Sequence, residues 1–370
     1  MPMAQWAVPR EDTVRSRLVR PRPRRSEVMP GRPTIKDVAR VAGVSHMTVS
    51  RVINGSPEVA SETQLRVEQA IRDLDYAPNI LARGLVRQTS EVIGLLVSDI
   101  RNPFIAEVAE AVHRVADDAG YVVNMSVTDY DAHREIHAVN TLVARQVAGL
   151  IFTRPNRGAS DKRIVALAEQ GVPVVTLGRE LPHPTISTVS TDVYDGAYQA
   201  TRHLLDLGHQ RLGFITGSPR VGIGHPKVQG CRAALAECGL TLDPDLIVES
   251  DLSVRDGYLA MQLLLRRGLL PTAVVAVTDA VAIGAMGAIA AAGRRIPEDI
   301  SVVGFNDIPY AASVHPPLTT VREPMYELGR LATRVLLDTI RQGSSIKPVR
   351  TMLSCALQIR GSTGPCSRKA

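Results

Sequence analysis

Apolar residues recur along this chain with two different periods, and the change falls near residue 90. Between Thr34 and Leu74 they stand three and four apart: Val38, Ala39 and Ala42, then Val49, Val52 and Ile53, then Val67, Ile71 and Leu74. Each set lies on one face of a helix, so the spacing predicts three short helices. Gly43 supplies the backbone freedom for a sharp turn between the first two. Thr34 can cap the first helix with Asp37 at its third position, and Ser45 can cap the second. From Glu91 onward, short continuous apolar runs such as VIGLLV at Val92 to Val97 alternate with amphipathic stretches. The runs suit buried parallel strands: 92–97, 121–126, 149–153, 173–177, 211–216, one near Leu246, 273–277 and 300–304. The stretches between them predict helices over 107–119, 132–145, 164–170, 194–207, 227–238, 256–267 and 281–292. Such alternation implies an α/β fold of parallel sheets flanked by helices.

The second predicted helix carries a distinctive polar face. His46, Met47, Ser50 and Arg51, with Asn54 at its end, combine short donors and an arginine with no acid. That composition suits a DNA major groove, although a plain helical hairpin with a solvated face fits the segment as well. Charge changes the picture. Residues 1–90 hold 15 Lys and Arg against 9 Asp and Glu, whereas the remainder holds 28 of each. The whole net charge of +6 therefore lies in the part that contains this helix, as a polyanion partner requires. Some of it belongs to residues 1–29, a Pro- and Arg-rich stretch with PRPRR at Pro21 to Arg25, which reads as a disordered basic tail. A translation start at Met29 is the alternative reading of that stretch.

AGVSHMTVSRVIN at Ala42 to Asn54, then Tyr76-Ala77-Pro78-Asn79, then Ala82-Arg83-Gly84-Leu85 follow one another in an order that resembles the LacI family of bacterial transcription repressors. The resemblance runs from about Thr34 to Gly361. It implies an N-terminal all-α helix-turn-helix headpiece (residues 30–76), a hinge (77–90) and an α/β two-lobed, periplasmic-binding-protein-like core (91–361). Lobe 1 would comprise about 91–190 and 321–350, and lobe 2 about 191–320 and 351–361, with crossings near Thr191, Thr320 and Arg350. By the same resemblance His46 and Met47 take the main base-reading positions and Arg51 is a second reader. Thr48, Ser50 and Asn54 contact phosphates or serve both roles, and Thr34 and Ser45 belong to the DNA-contacting set. Asn79 can cap a short hinge helix, Ile80 to Val86, that contains Ala82. Gly84 weakens it by about 1 kcal/mol relative to alanine, so it would be marginal by itself. Leu85 matches the family's leucine wedge into a minor-groove base step.

A ligand is expected between the lobes, at the carboxyl ends of the strands. Asn102 and Phe104 (from NPF), Thr153, Arg179, Lys227, Leu252 and Asp279 are the candidate effector contacts that the resemblance implies, with a sugar or related metabolite as the effector. The chain departs from the family at Lys227, where an arginine is usual; a lysine keeps the charge but loses the bidentate fork. It has Gly178 where an Asp often precedes Arg179. Val221 stands where a purine-binding member has a carboxylate-binding arginine, which disfavours a purine.

Other chemistry is poorly supported. GIGHPK fails the dinucleotide fingerprint, no GK[ST] occurs, and HREIH at His133 to His137 has its Glu misplaced for either zincin order. No catalytic set, metal site or cofactor is expected. The four cysteines, Cys231, Cys238, Cys355 and Cys366, lack metal-ligand spacing and read as reduced thiols. No apolar run spans a membrane and the basic start lacks a signal-peptide core, so a cytoplasmic protein is expected. The leading expectation is a homodimeric repressor on a near-palindromic double-stranded DNA operator, controlled by its effector. The tail after Gly361 has no leucine heptad, so no tetramer is expected. A transported-solute binding protein and a nucleotide-using α/β enzyme are the competing readings.

Overall fold

The computed structural model describes residues 33–53, 56–76, 90–153, 160–181, 183–218, 224–268, 270–343 and 347–367. The tail 1–29, Asn54, the hinge positions Asn79, Ala82 and Leu85, and Val221 lie outside the described residues. The chain divides into two compact units, residues 1–83 and 84–370.

In the first unit, α1 (Ile35–Ala42) starts where the Thr34 N–H and hydroxyl both donate to the Asp37 carboxylate, at 2.9 and 2.6 Å. Those bonds hold the Asp37 carboxyl below the usual carboxylate range. Gly43, at φ 66°, adopts the left-handed conformation that ends α1 and turns the chain. α2 (His46–Ile53) is capped by Ser45, whose Oγ accepts from the Thr48 N–H at 3.1 Å. α3 (Ser61–Asp73) closes the bundle. Val38, Val49 and Val67, one from each helix, are fully buried and form the centre of a small core.

The second unit holds two six-stranded sheets. The first contains β1 (Val92–Val97), β2 (Val122–Val127), β3 (Gly149–Phe152), β4 (Val174–Leu177), β5 (Ser187–Thr191) and β11 (Arg350–Leu353), in the order β11-β5-β4-β3-β1-β2. All its pairings are parallel. The second contains β6 (Leu212–Gly217), β7 (Ile247–Ser250), β8 (Ala273–Ala276), β9 (Ser301–Asn306), β10 (Thr319–Arg322) and β12 (Ala356–Gln358), in the order β12-β10-β9-β8-β6-β7. Only β12 runs antiparallel to its neighbour. Helices α4 (Pro103–Asp118), α5 (Ala132–Ala144), α6 (Asp161–Glu169) and α11 (Met325–Gln342) cover the first sheet. Helices α7 (Val193–Asp206), α8 (Gly224–Glu237), α9 (Val254–Arg266) and α10 (Asp279–Ala291) cover the second.

The chain passes between the lobes three times. The first passage follows Thr191. The second follows Arg322: Thr319–Arg322 is paired with β9, and the chain leaves at Glu323 to enter α11 in lobe 1. The third follows Leu353, the end of the Arg350–Leu353 pairing with β5. Lobe 2 also extends past residue 361, since the Cys366 N–H donates to the Leu207 carbonyl at 2.9 Å. α4 begins earlier than residue 107: the Asn102 carboxamide oxygen accepts from the Phe104 N–H at 3.0 Å, and Pro103 occupies a first-turn position that needs no N–H.

α9 and α10 pack backbone against backbone. A Cβ on Gly284 would stand 1.9 Å from the Val254 carbonyl oxygen, and one on Gly257 would stand 2.2 Å from the Val281 oxygen. Gly284→Ala is therefore expected to lower stability by about 1–3 kcal/mol, read as a shift in the urea midpoint. Gly287→Ala is the control, because its Cβ would meet only the Tyr258 ring at 3.5 Å. Equal midpoints for the two variants would contradict this packing.

Candidate functional site

The exposed side of α2 follows directly from its core side. Burial of Val49 leaves His46, Met47 and Arg51 in solvent, with Thr48 and Ser50 half-buried. Met47 and Arg51 are four apart, as are His46 and Ser50, so the four form one contiguous face. Met47 is 59% exposed on this face. No acidic side chain lies on this helix. Thr34 and Ser45 are exposed as well, although their side chains are engaged in capping.

The second candidate site is a cavity between the two lobes, with about 370 Å³ of space including its mouth. Ser98, Asn102, Phe104, Ile105 and Tyr130 line it from lobe 1, and Lys227, Thr278 and Asn306 from lobe 2. Glu323, at the second inter-lobe passage, completes it. Tyr130 hydrogen-bonds Ser98 and Asn102, and burial pushes its hydroxyl above the usual range. The Lys227 ammonium donates to the Val277 carbonyl at 2.8 Å and stands 3.4 Å from the centre of the Phe305 ring, a cation–π contact. Glu323 is buried and accepts from the Asn306 side-chain amide at 2.9 Å and from the Thr191 hydroxyl. Thr191 and Glu323 lie at the first and second passages, so this carboxylate ties the two passages to the cavity wall.

Of the seven positions drawn from the sequence, Asn102, Phe104 and Lys227 come together in this cavity. The structure places the other four elsewhere. Arg179 is buried and forms ion pairs with Glu135, at 3.0 Å, and with Asp161, tying α5 to α6 within lobe 1. The Thr153 hydroxyl, just past the end of β3, is buried and donates to the Leu96 carbonyl of β1 at 3.1 Å. Leu252 packs into the lobe 2 core, in a left-handed backbone conformation at φ 72°. Asp279 is fully buried behind the lining residue Thr278, and its carboxylate accepts from the Thr320 hydroxyl and from the Ile308 N–H at 2.8 Å. Burial, the largest influence, pushes its carboxyl up to about 6.

Four of the residues that sequence reasoning missed share one signal. Ser98 follows β1, Tyr130 follows β2, Asn306 ends β9 and Glu323 follows β10. Position at a strand's carboxyl end marks all four.

A helix-turn-helix unit whose second helix has an exposed, acid-free face, joined to a two-lobed core with a polar cavity between the lobes, defines a DNA-binding transcription regulator. Residues 34–79 match "Bacterial regulatory proteins, lacI family", and residues 201–363 match "Periplasmic binding protein-like domain". The ribose operon repressor of Haemophilus influenzae is 37% identical over 310 residues, which is 83% of this chain and 92% of that protein. A crystal structure of the Lac repressor dimer bound to operator and the anti-inducer ONPF superposes with a TM-score of 0.82 at 30% identity, covering 90% of this chain and 100% of that one. A LacI family regulator from Enterococcus faecium with bound ribose gives a TM-score of 0.66 at 28% identity, over 74% of this chain and 99% of that one. The chain belongs to the LacI family.

Proposed function

We propose that this protein represses transcription from the cytoplasm as a homodimer, and that a sugar or related polyol bound between its lobes sets its affinity for a near-palindromic operator. The observation that carries the reading is the pairing of an acid-free, exposed α2 face with a polar cavity at the passages between two lobes. His46 and Met47 read base edges, Met47 by packing on a thymine methyl, and Arg51 reads a guanine. Thr34, Ser45, Thr48, Ser50 and Asn54 set the register on phosphates. Asn79, Ala82 and Leu85 act at the hinge. In the cleft, Asn102, Tyr130, Asn306 and Lys227 address ligand hydroxyls, while Thr153, Arg179, Leu252 and Asp279 support the walls. A ligand that favours one lobe arrangement biases the operator-competent state against the released one. The relatives are repressors, which supports a non-enzymatic role.

Site selection with the full chain tests the DNA reading. The wild type is expected to enrich a dyad-symmetric site, and the His46→Ala, Met47→Ala double variant to lose or change that preference. Affinity for the selected site should fall steeply with salt, by about 10³–10⁵ between 50 and 200 mM if six or more phosphates are neutralised. An unchanged motif from the double variant would remove these residues from base reading. A shift in operator affinity on adding D-ribose or another sugar, abolished by Asn306→Ala, tests the cleft.

A further inference from the structure

Of the nine histidines in the chain, only His133 and His137 stand four residues apart. Both belong to α5 and both are exposed. The buried side of α5 is formed by Glu135, Val139 and Leu142. Each residue advances by about 100° around a helix, so the two histidines lie about 40° apart on the opposite side. Their Cβ atoms are therefore about 5–6 Å from each other. Among the described residues, neither ring is occupied by a hydrogen bond. Asp131 caps the helix, accepting from the His133 and Arg134 N–H groups at 2.7 and 3.0 Å, and sets a negative charge beside His133. The adjoining Arg134 guanidinium is paired with Asp129.

Two imidazoles at this spacing hold zinc in H-E-x-x-H helices, where a glutamate directly after the first histidine serves as the base. Here Arg134 takes that place. Glu135 comes one position later, on the buried side, where it is paired with Arg179 and accepts from the Ser160 hydroxyl. With no base at hand, the pair is fitted for binding rather than hydrolysis. Neutral imidazole suits Zn²⁺, Ni²⁺ and Cu²⁺, whereas Ca²⁺ and Mg²⁺ take oxygen ligands. Two protein ligands leave the outer coordination positions of such an ion to water or to a donor from another molecule.

We propose that His133 and His137 form an open surface site on lobe 1 that binds one divalent transition-metal ion of the zinc, nickel or copper type per chain. The site is separate from the cleft and from the α2 face, so it stands apart from the functional reading given above.

Calorimetric titration of the full-length protein with NiCl₂ at pH 7.5 is the test. One ion per chain is expected. His133→Ala and His137→Ala should each weaken binding by about tenfold or more, because the second ring acts as an intramolecular ligand once the first has bound. His113→Ala removes an exposed histidine of α4 that has no histidine a turn away, and should leave binding unchanged. CuCl₂ should bind more tightly than NiCl₂, and excess MgCl₂ should not compete. Binding displaces imidazole protons, so affinity should fall by about tenfold or more between pH 7.5 and pH 5.5. Electron paramagnetic resonance of bound Cu²⁺ gives a second readout, with hyperfine splitting from two nitrogens in the wild type and from one in either variant. No saturable binding, a single variant that binds as tightly as the wild type, or a site that survives loss of both histidines overturns the proposal. None of these measurements involves DNA or a sugar, so their failure and a failure of operator or effector binding are separate results.

Discussion

Arg179→Ala is expected to destabilise the core by about 3–5 kcal/mol, the range for removing one partner from a buried ion pair. Arg179 is 7% exposed, and the Glu135 side chain it pairs with is 3% exposed. Without the guanidinium, Glu135 keeps only the Ser160 hydroxyl among its described hydrogen-bond partners, an insufficient replacement for a buried charge. Asp161 matters less, since its side chain is 34% exposed and can recover water. Urea unfolding measures the loss. The double variant Arg179→Met, Glu135→Leu is expected to recover most of it, because an apolar pair of similar volume avoids burying charge altogether. A single-variant loss below about 1 kcal/mol would contradict a structural role and return Arg179 to the candidate ligand contacts.

Asp279 gives the second large effect, through pH. Its folded carboxyl titrates at about 6, above the reference value of 3.8, so the folded state holds the proton more tightly than the unfolded chain. The stability this adds is fully present below about pH 4 and is lost as pH rises through 6; two units correspond to about 3 kcal/mol. Asp279→Asn removes the titration. The stability of the Asp279→Asn protein relative to wild type is therefore expected to rise by about 3 kcal/mol between pH 4 and pH 7, in favour of the variant. Denaturant midpoints at four or five pH values measure it. Parallel curves would mean that the Thr320 and Ile308 hydrogen bonds offset the burial of the charge completely.

Two histidines, His209 buried and His203 partly buried, behave in the opposite sense. His209 bonds the Gly364 carbonyl and the Thr272 hydroxyl, both at 3.0 Å, and His203 bonds Thr363 at 3.0 Å. Burial holds both imidazoles below their ordinary value. Their depressed folded titration means that stability is lost as pH falls below about 6.5, where the unfolded chain takes up protons first.

The strands that read well from sequence are those whose side chains are uniformly apolar, such as β1, β3 and β8. β5 did not, because Ser187, Thr188 and Thr191 are buried polar residues whose hydroxyls are taken up by hydrogen bonds to Val349, Thr176 and Glu323, giving no apolar run to detect. β10, β11 and β12 are three or four residues long, and their place is fixed by partners far away in the chain: β11 by β5 and β12 by β10. α11 is amphipathic, and it packs on α4 in lobe 1. In the cleft, Asn102, Phe104 and Lys227 were legible as motif positions. Arg179 and Asp279 were legible as charges but not as to what they face, since a motif names a residue and leaves its rotamer and neighbours open.

By itself, the order of residues determined the helix-turn-helix unit, the alternation of buried strands and covering helices, and the basic bias of the first ninety residues, because all three depend on local spacing and composition. Tertiary structure decided where the chain leaves each lobe, which carboxylates are consumed in internal bonds, and which side chains share the cavity walls. These depend on contacts between segments a hundred or more residues apart, such as Thr191 with Glu323, and no local pattern encodes them.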